Sequence, residues 1–144
     1  MKKIKKLFHF ISYLQYPLLL ISLFYAVKPY YDIFITNNKE TIFINLNTAL
    51  IFMGIAISFS TLQDTTKTQN NFSKRVWENR KKGSTFLFVM LFLTLLIFSV
   101  GFIGYFTTKI KTLEELSIGL IVLGIGFVGL LKTAIEMYEN HRKD

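Results

Sequence analysis

The stretch TFLFVMLFLTLLIFSVGFIGYF, residues 85–106, runs for 22 positions without a charged side chain. A helix rising 1.5 Å per residue needs about 20 such positions to cross a hydrocarbon core of roughly 30 Å. Working outward, further apolar blocks of similar length occupy residues 8–27, 42–62 and 116–135. Four such blocks in a chain of 144 residues, 51% of them apolar or aromatic, leave no amphipathic outer layer for a soluble core. The reading is an all-α polytopic membrane protein. One transmembrane domain covers residues 1–144, its four transmembrane helices paired as two helical hairpins joined by a cytoplasmic loop at 63–84. The absence of Cys excludes disulfide frameworks and thiolate sites, and the apolar content excludes disorder.

The opening Met-Lys-Lys-Ile-Lys-Lys and the apolar run behind it share features with a signal peptide. The run is longer than a signal h-region and no small-x-small site precedes Lys28, so a retained span is expected. Charge then sets the topology. Lys2, Lys3, Lys5 and Lys6 precede the first span; Lys67, Lys74, Arg75, Arg80, Lys81 and Lys82 separate the second from the third; Lys132, Arg142 and Lys143 follow the fourth. The opposite side holds only Lys28, Lys39, Lys109 and Lys111. By the positive-inside rule both termini are expected in the cytoplasm. The net charge of +8 thus belongs to one face, where it serves topology and contact with anionic lipid. No nucleic-acid motif accompanies it; the expected partner is the lipid bilayer. The Lys-, Asn- and Ile-rich composition fits a bacterial inner membrane.

Tyr13, Tyr16, Tyr25, Tyr30, Tyr31, Tyr105, Tyr138 and Trp77 fall mostly near the span boundaries, as interfacial anchors do. In residues 71–82, Phe72, Val76 and Trp77 alternate with cations, which predicts a short amphipathic helix on the membrane surface. Gly83 is the expected break before the third span. A weak internal repeat is also legible. Shifted by 70 positions, Leu46, Leu50, Ile51, Gly54 and Ile55 fall on Leu116, Leu120, Ile121, Gly124 and Ile125. That pattern predicts two halves related by an axis along the membrane normal.

Polar residues at membrane depth carry the functional information, because each needs a partner or water. Asn47, Ile51, Gly54, Ser58, Thr61, Thr65 and Thr68 recur at steps of three and four, which keeps them on one helical stripe. The fourth span has a stripe of its own in Glu115, Gly119, Val122, Gly126, Gly129, Thr133 and Glu136; Gly119, Gly126 and Gly129 are expected to pack helices closely. Gly101 and Gly104 read the same way. The text Gly124-x-Gly126-x-x-Gly129 lacks the strand that a dinucleotide site requires.

Two functions compete for the second-span stripe. In the first, several copies form a homo-oligomeric ion channel for passive cation transport, since a single four-helix bundle has no lumen. Asn47, Ile51, Gly54, Ser58, Thr61 and Thr65 would line the path, Glu114 and Glu115 (with Glu40) would attract inorganic cations at the outer mouth, and Asp64 would sit at the inner mouth. The structural alternative for the acids is helix-start charge beside Thr112. In the second, the stripes are packing seams of a non-catalytic accessory or scaffold subunit; a membrane-disrupting effector is a third class. Antiport needs an intramembrane acid or His, and the first span offers Ser12, Gln15 and Ser22 only, with His9 at its start. Enzyme chemistry has no support in a paired-carboxylate, His-x-x-x-His or nucleophile pattern, so no catalytic residue, metal or cofactor is expected.

Overall fold

The computed structural model describes residues 2–35, 41–66 and 71–143. The elements are α1 (Lys2–Ser12), α2 (Gln15–Ile35), α3 (Thr41–Ser60), α4 (Asn71–Trp77), α5 (Arg80–Thr107) and α6 (Lys111–His141). No strand occurs among the described residues, and Lys3–Ile35 (α1 running into α2), α3, α5 and α6 are each long and apolar enough to cross a membrane. The chain is an all-α integral membrane protein with four membrane helices. Lys39, Glu40, Lys67 and Thr68 lie outside the described residues.

The last two membrane helices overrun the apolar blocks that announce them, whereas α3 stops at Ser60, two residues short of its block. With 28 and 31 residues, α5 and α6 are about 42 and 46 Å long, well beyond a hydrocarbon core of about 30 Å. The first block is divided. Pro17 has no N–H to give to the carbonyl of Tyr13, so α1 ends and the chain turns through Tyr13–Leu14 before α2 begins. Tyr16 N–H takes over that carbonyl at 3.1 Å. Proline is tolerated here because first-turn N–H groups lack intrahelical acceptors.

Packing follows the order α2, α3, α6, α5: α2 lies on α3, α3 on α6, and α6 on α5, while α2 and α5 do not close the circle. The four membrane helices therefore form an open row instead of a bundle around a shared centre. Residue size explains the order. The inner helices carry small residues where neighbours approach: Ala49, Gly54 and Ala56 on α3, and Ser117, Gly119, Gly124, Gly126 and Ala134 on α6, all buried. Close approach is how helices gain contact when lipid is as apolar as Leu. The outer helices present Phe24, Phe34, Phe88, Phe92 and Phe106 outward, as a lipid-facing surface does. Within the first hairpin, buried Ser22 Oγ donates to the carbonyl of Ala49 at 2.8 Å.

The 70-residue shift of the sequence similarity is not the register at which the inner helices meet. The inner helices run side by side so that Thr61 meets Thr133, 72 positions on. A 70-residue register would give Gly54 and Gly124 equivalent neighbours. Instead Gly54 abuts the backbone of α6, whereas Gly124 abuts the ring of Phe98 on α5.

The basic end departs from the surface-helix expectation. Only Asn71–Trp77 is helical before a new helix starts, and Trp77 turns inward, 8% exposed, onto Met90 and Ala134. Its ring meets Phe86 edge-on at 5.4 Å. Asn79, not Gly83, marks the break: its Oδ1 accepts from Lys82 N–H at 3.1 Å and caps α5. Gly83 lies inside the helix against Tyr138, whose ring leaves a Cβ only 2.5 Å. The C-terminal segment closes the corner, with Lys143 N–H donating to the Glu78 carbonyl at 3.3 Å and Lys143 Nζ 3.0 Å from Glu78 Oε2.

Candidate functional site

The two stripes of the inner helices face each other. Along α3, Asn47 comes first: its Oδ1 is buried, accepts no hydrogen bond, and rests against Gly119 of α6, where any Cβ would overlap it. Half-buried Ile51 follows one turn on. Gly54 and Gly126 then bring backbone onto backbone. A Cβ at Gly126 would stand 2.5 Å from the Gly54 carbonyl oxygen, and one at Gly54 would stand 2.7 Å from the Val122 carbonyl oxygen. Further down, a Cβ at Gly129 would be 3.0 Å from Thr61 Cγ2.

The hydroxyl groups of this seam find partners on their own helices. Ser58 Oγ donates to the Gly54 carbonyl at 2.9 Å, and Thr61 Oγ1 to the Ser58 carbonyl at 2.7 Å. Thr133 Oγ1 does the same with Gly129 at 3.1 Å and reaches the Thr61 carbonyl at 3.4 Å. Such back-bonding to the preceding turn satisfies a hydroxyl in hydrocarbon without water. Thr94, Ser99, Thr107 and Ser117 use it too.

Polarity rises at the basic end of the seam. Thr65 Oγ1 donates to Glu136 Oε2 at 3.5 Å and receives Asn140 Nδ2 at 3.4 Å, while Glu136 forms an ion pair with Lys132 one turn before it. Asp64 is exposed, and its Oδ1 accepts from Thr66 N–H at 3.1 Å and Thr66 Oγ1 at 2.7 Å, a turn in the segment that follows α3. Lys5 and Phe8 of α1 cover this end and enclose an open pocket of about 510 Å³ that Gln63, Thr66 and Glu139 also line. Among the described residues, no group of His, Cys, Asp or Glu is placed to hold a metal ion.

At the opposite end, Glu114 falls in the first turn of α6, with Glu115 beside it, where the helix dipole favours negative charge. Thr112 does not cap this helix: the N-cap is Ile110, without a side-chain hydrogen bond.

An acidic residue missed by the hydropathy boundaries lies near that end. Because α2 continues to Ile35, Asp32 belongs to the first membrane helix, one turn from its end. Its Oδ2 accepts from Thr41 Oγ1 at 2.9 Å and from buried Asn45 Nδ2 at 3.0 Å, which locks α2 to α3. The only sequence signal was a carboxylate and two polar partners flanking one short loop. Asp32→Ala would leave the buried Asn45 amide without this acceptor and is expected to destabilise the protein by about 1–3 kcal/mol. Unfolding in mixed detergent micelles measures it, with Asp32→Asn expected to lose less.

The chain matches no family model, no curated protein and no solved structure.

Proposed function

We propose that this chain is a non-catalytic scaffold subunit of a membrane complex. Its polar stripe holds α3 to α6, and the outer flanks of α2 and α5 are free to meet other membrane helices, a second copy first. The observation that supports this reading is the Gly54–Gly126 contact, where neither helix has room for a Cβ. Water could enter between these helices only by parting them, and the hydroxyl groups beside the contact are already satisfied. The open row supports it further, since each edge helix has one packed membrane neighbour within the chain.

In this reading the basic end faces the cytoplasm, on the strength of thirteen basic residues against four. The host is a plasma membrane, bacterial in keeping with the composition. The purified protein in liposomes is expected to pass no more potassium or sodium than protein-free vesicles, and to migrate in mild detergent as a defined oligomer. Cation flux that is abolished by Ser58→Leu or Thr61→Leu would overturn the scaffold reading in favour of conduction along α3. A monomer throughout would remove the copy-to-copy contact from it.

A further inference from the structure

We propose that the corner made by α4, the first turn of α5 and the last described residues binds the headgroup phosphates of anionic phospholipids, in the leaflet at the basic end. The fold gathers this surface from two distant parts of the sequence. Residues 71–82 supply Lys74, Arg75, Arg80, Lys81 and Lys82; the Lys143–Glu78 clip adds Lys143 itself and Arg142. Glu78 is the one carboxylate in these segments among the described residues, and it is engaged by Lys143 at 3.0 Å and by Lys74 at 3.9 Å. Arg75, Arg80, Lys81 and Lys82 are exposed and form no ion pair with a carboxylate among the described residues.

Such a concentration of like charge is self-repelling, and the three cations in the first turn of α5 also sit at the end of the helix dipole that disfavours them. Among the described residues no carboxylate pairs with Arg75, Arg80, Lys81 or Lys82, so an external anion is the natural counter-charge. The surroundings say which kind. Phe86 and Phe88, 40% and 70% exposed, follow the cations within two turns along α5. The patch therefore borders the lipid-facing apolar surface, at the depth of headgroups. A soluble polyanion would meet the charges but have no use for the apolar border; a phospholipid matches both. The corner is also held in place, by Trp77 packed beneath it and by Tyr138 OH donating to the Arg80 carbonyl at 3.3 Å.

This surface is independent of the scaffold reading. The test uses the full chain in mixed micelles, titrated with phosphatidylglycerol or phosphatidylcholine, with bound lipid counted by native mass spectrometry. Fluorescence of the single tryptophan, Trp77 in the same corner, gives a second readout. Phosphatidylglycerol is expected to bind and phosphatidylcholine not. Replacing three cations with Arg80→Gln, Lys81→Gln and Lys82→Gln is expected to weaken phosphatidylglycerol roughly a hundredfold. The same charge change at Lys3→Gln, Lys5→Gln and Lys6→Gln is expected to weaken it less than fivefold. Equal losses in both variants, equal binding of the two lipids, or stronger binding of a single-stranded oligonucleotide than of phosphatidylglycerol would each overturn the proposal. Should the α5 variant fail to fold, the unaltered protein in about 0.5 M salt decides: screening is expected to release the lipid, and undiminished binding would overturn the site.

Discussion

Gly126→Ala is expected to lower stability by about 3 kcal/mol, the upper part of the range for overpacked interiors. The added Cβ would lie 2.5 Å from the carbonyl oxygen of Gly54 and 3.2 Å from its Cα. Those are backbone atoms, so no rotamer change relieves the overlap; α3 and α6 must separate. Separation would also pull apart Thr133 and the Thr61 carbonyl, and Asn140 and Thr65 further along the same seam. Ile125→Ala is the matched control. Ile125 is its neighbour on α6, 58% exposed toward lipid, and its truncation is expected to change stability by under about 1 kcal/mol. Unfolding in mixed detergent micelles compares the two. Similar stabilities would mean that the inner helices do not touch at Gly54.

Trp77→Ala is expected to open the basic corner. Removing a large buried aromatic ring costs about 3–5 kcal/mol in soluble cores. Here the ring holds α4 against both α5 and α6, through Phe86, Met90 and Ala134. A local loss of about 3 kcal/mol raises the opened population roughly a hundredfold. Trypsin reports it directly, because Lys74, Arg75, Arg80, Lys81 and Lys82 flank the tryptophan. Cleavage there is expected to accelerate by a similar factor while the membrane helices stay intact. A tryptophan serving only as a membrane-surface anchor would leave the cleavage rate nearly unchanged once the protein is in detergent.

The sequence made the four crossings legible because hydrocarbon imposes one demand on every position of a span, and the block at 85–106 meets it without help from tertiary contacts. Hydropathy does not register where a helix ends outside that layer, which is why Asp32 fell beyond the expected first span although α2 includes it. The direction of Trp77 was equally hidden. A seven-residue helix has too few turns to define a face, and the partners Met90 and Ala134 are distant in sequence.

The α3 stripe is the more instructive case. Its spacing identified one helical face from Asn47 to Ser58; the helix stops at Ser60, so Thr61 and Thr65 lie in the turns that follow it and do not continue the helical stripe. Residue type alone also does not separate a face that meets water from one that meets a helix. A hydroxyl at membrane depth calls for water only where the protein offers it no partner. Ser58 and Thr61 have one, each bonding to the turn preceding it. The better signal was the second stripe: Gly119, Gly126 and Gly129 on the fourth span recur at the spacing needed to receive the first, and the two lie together in the fold.

Whether that stripe is a seam can be measured in one experiment, since the chain contains no cysteine of its own. An ideal Cβ at Gly129 lies 3.7 Å from the Cβ of Thr61, within the separation of about 3.5–4.5 Å that a disulfide spans. In Thr61→Cys/Gly129→Cys, mild oxidation in native membranes is expected to link α3 to α6 within one chain in most molecules. Two thiols that stay reduced, and are alkylated by a charged, water-soluble reagent as fast as a cysteine at Thr66, would contradict the account.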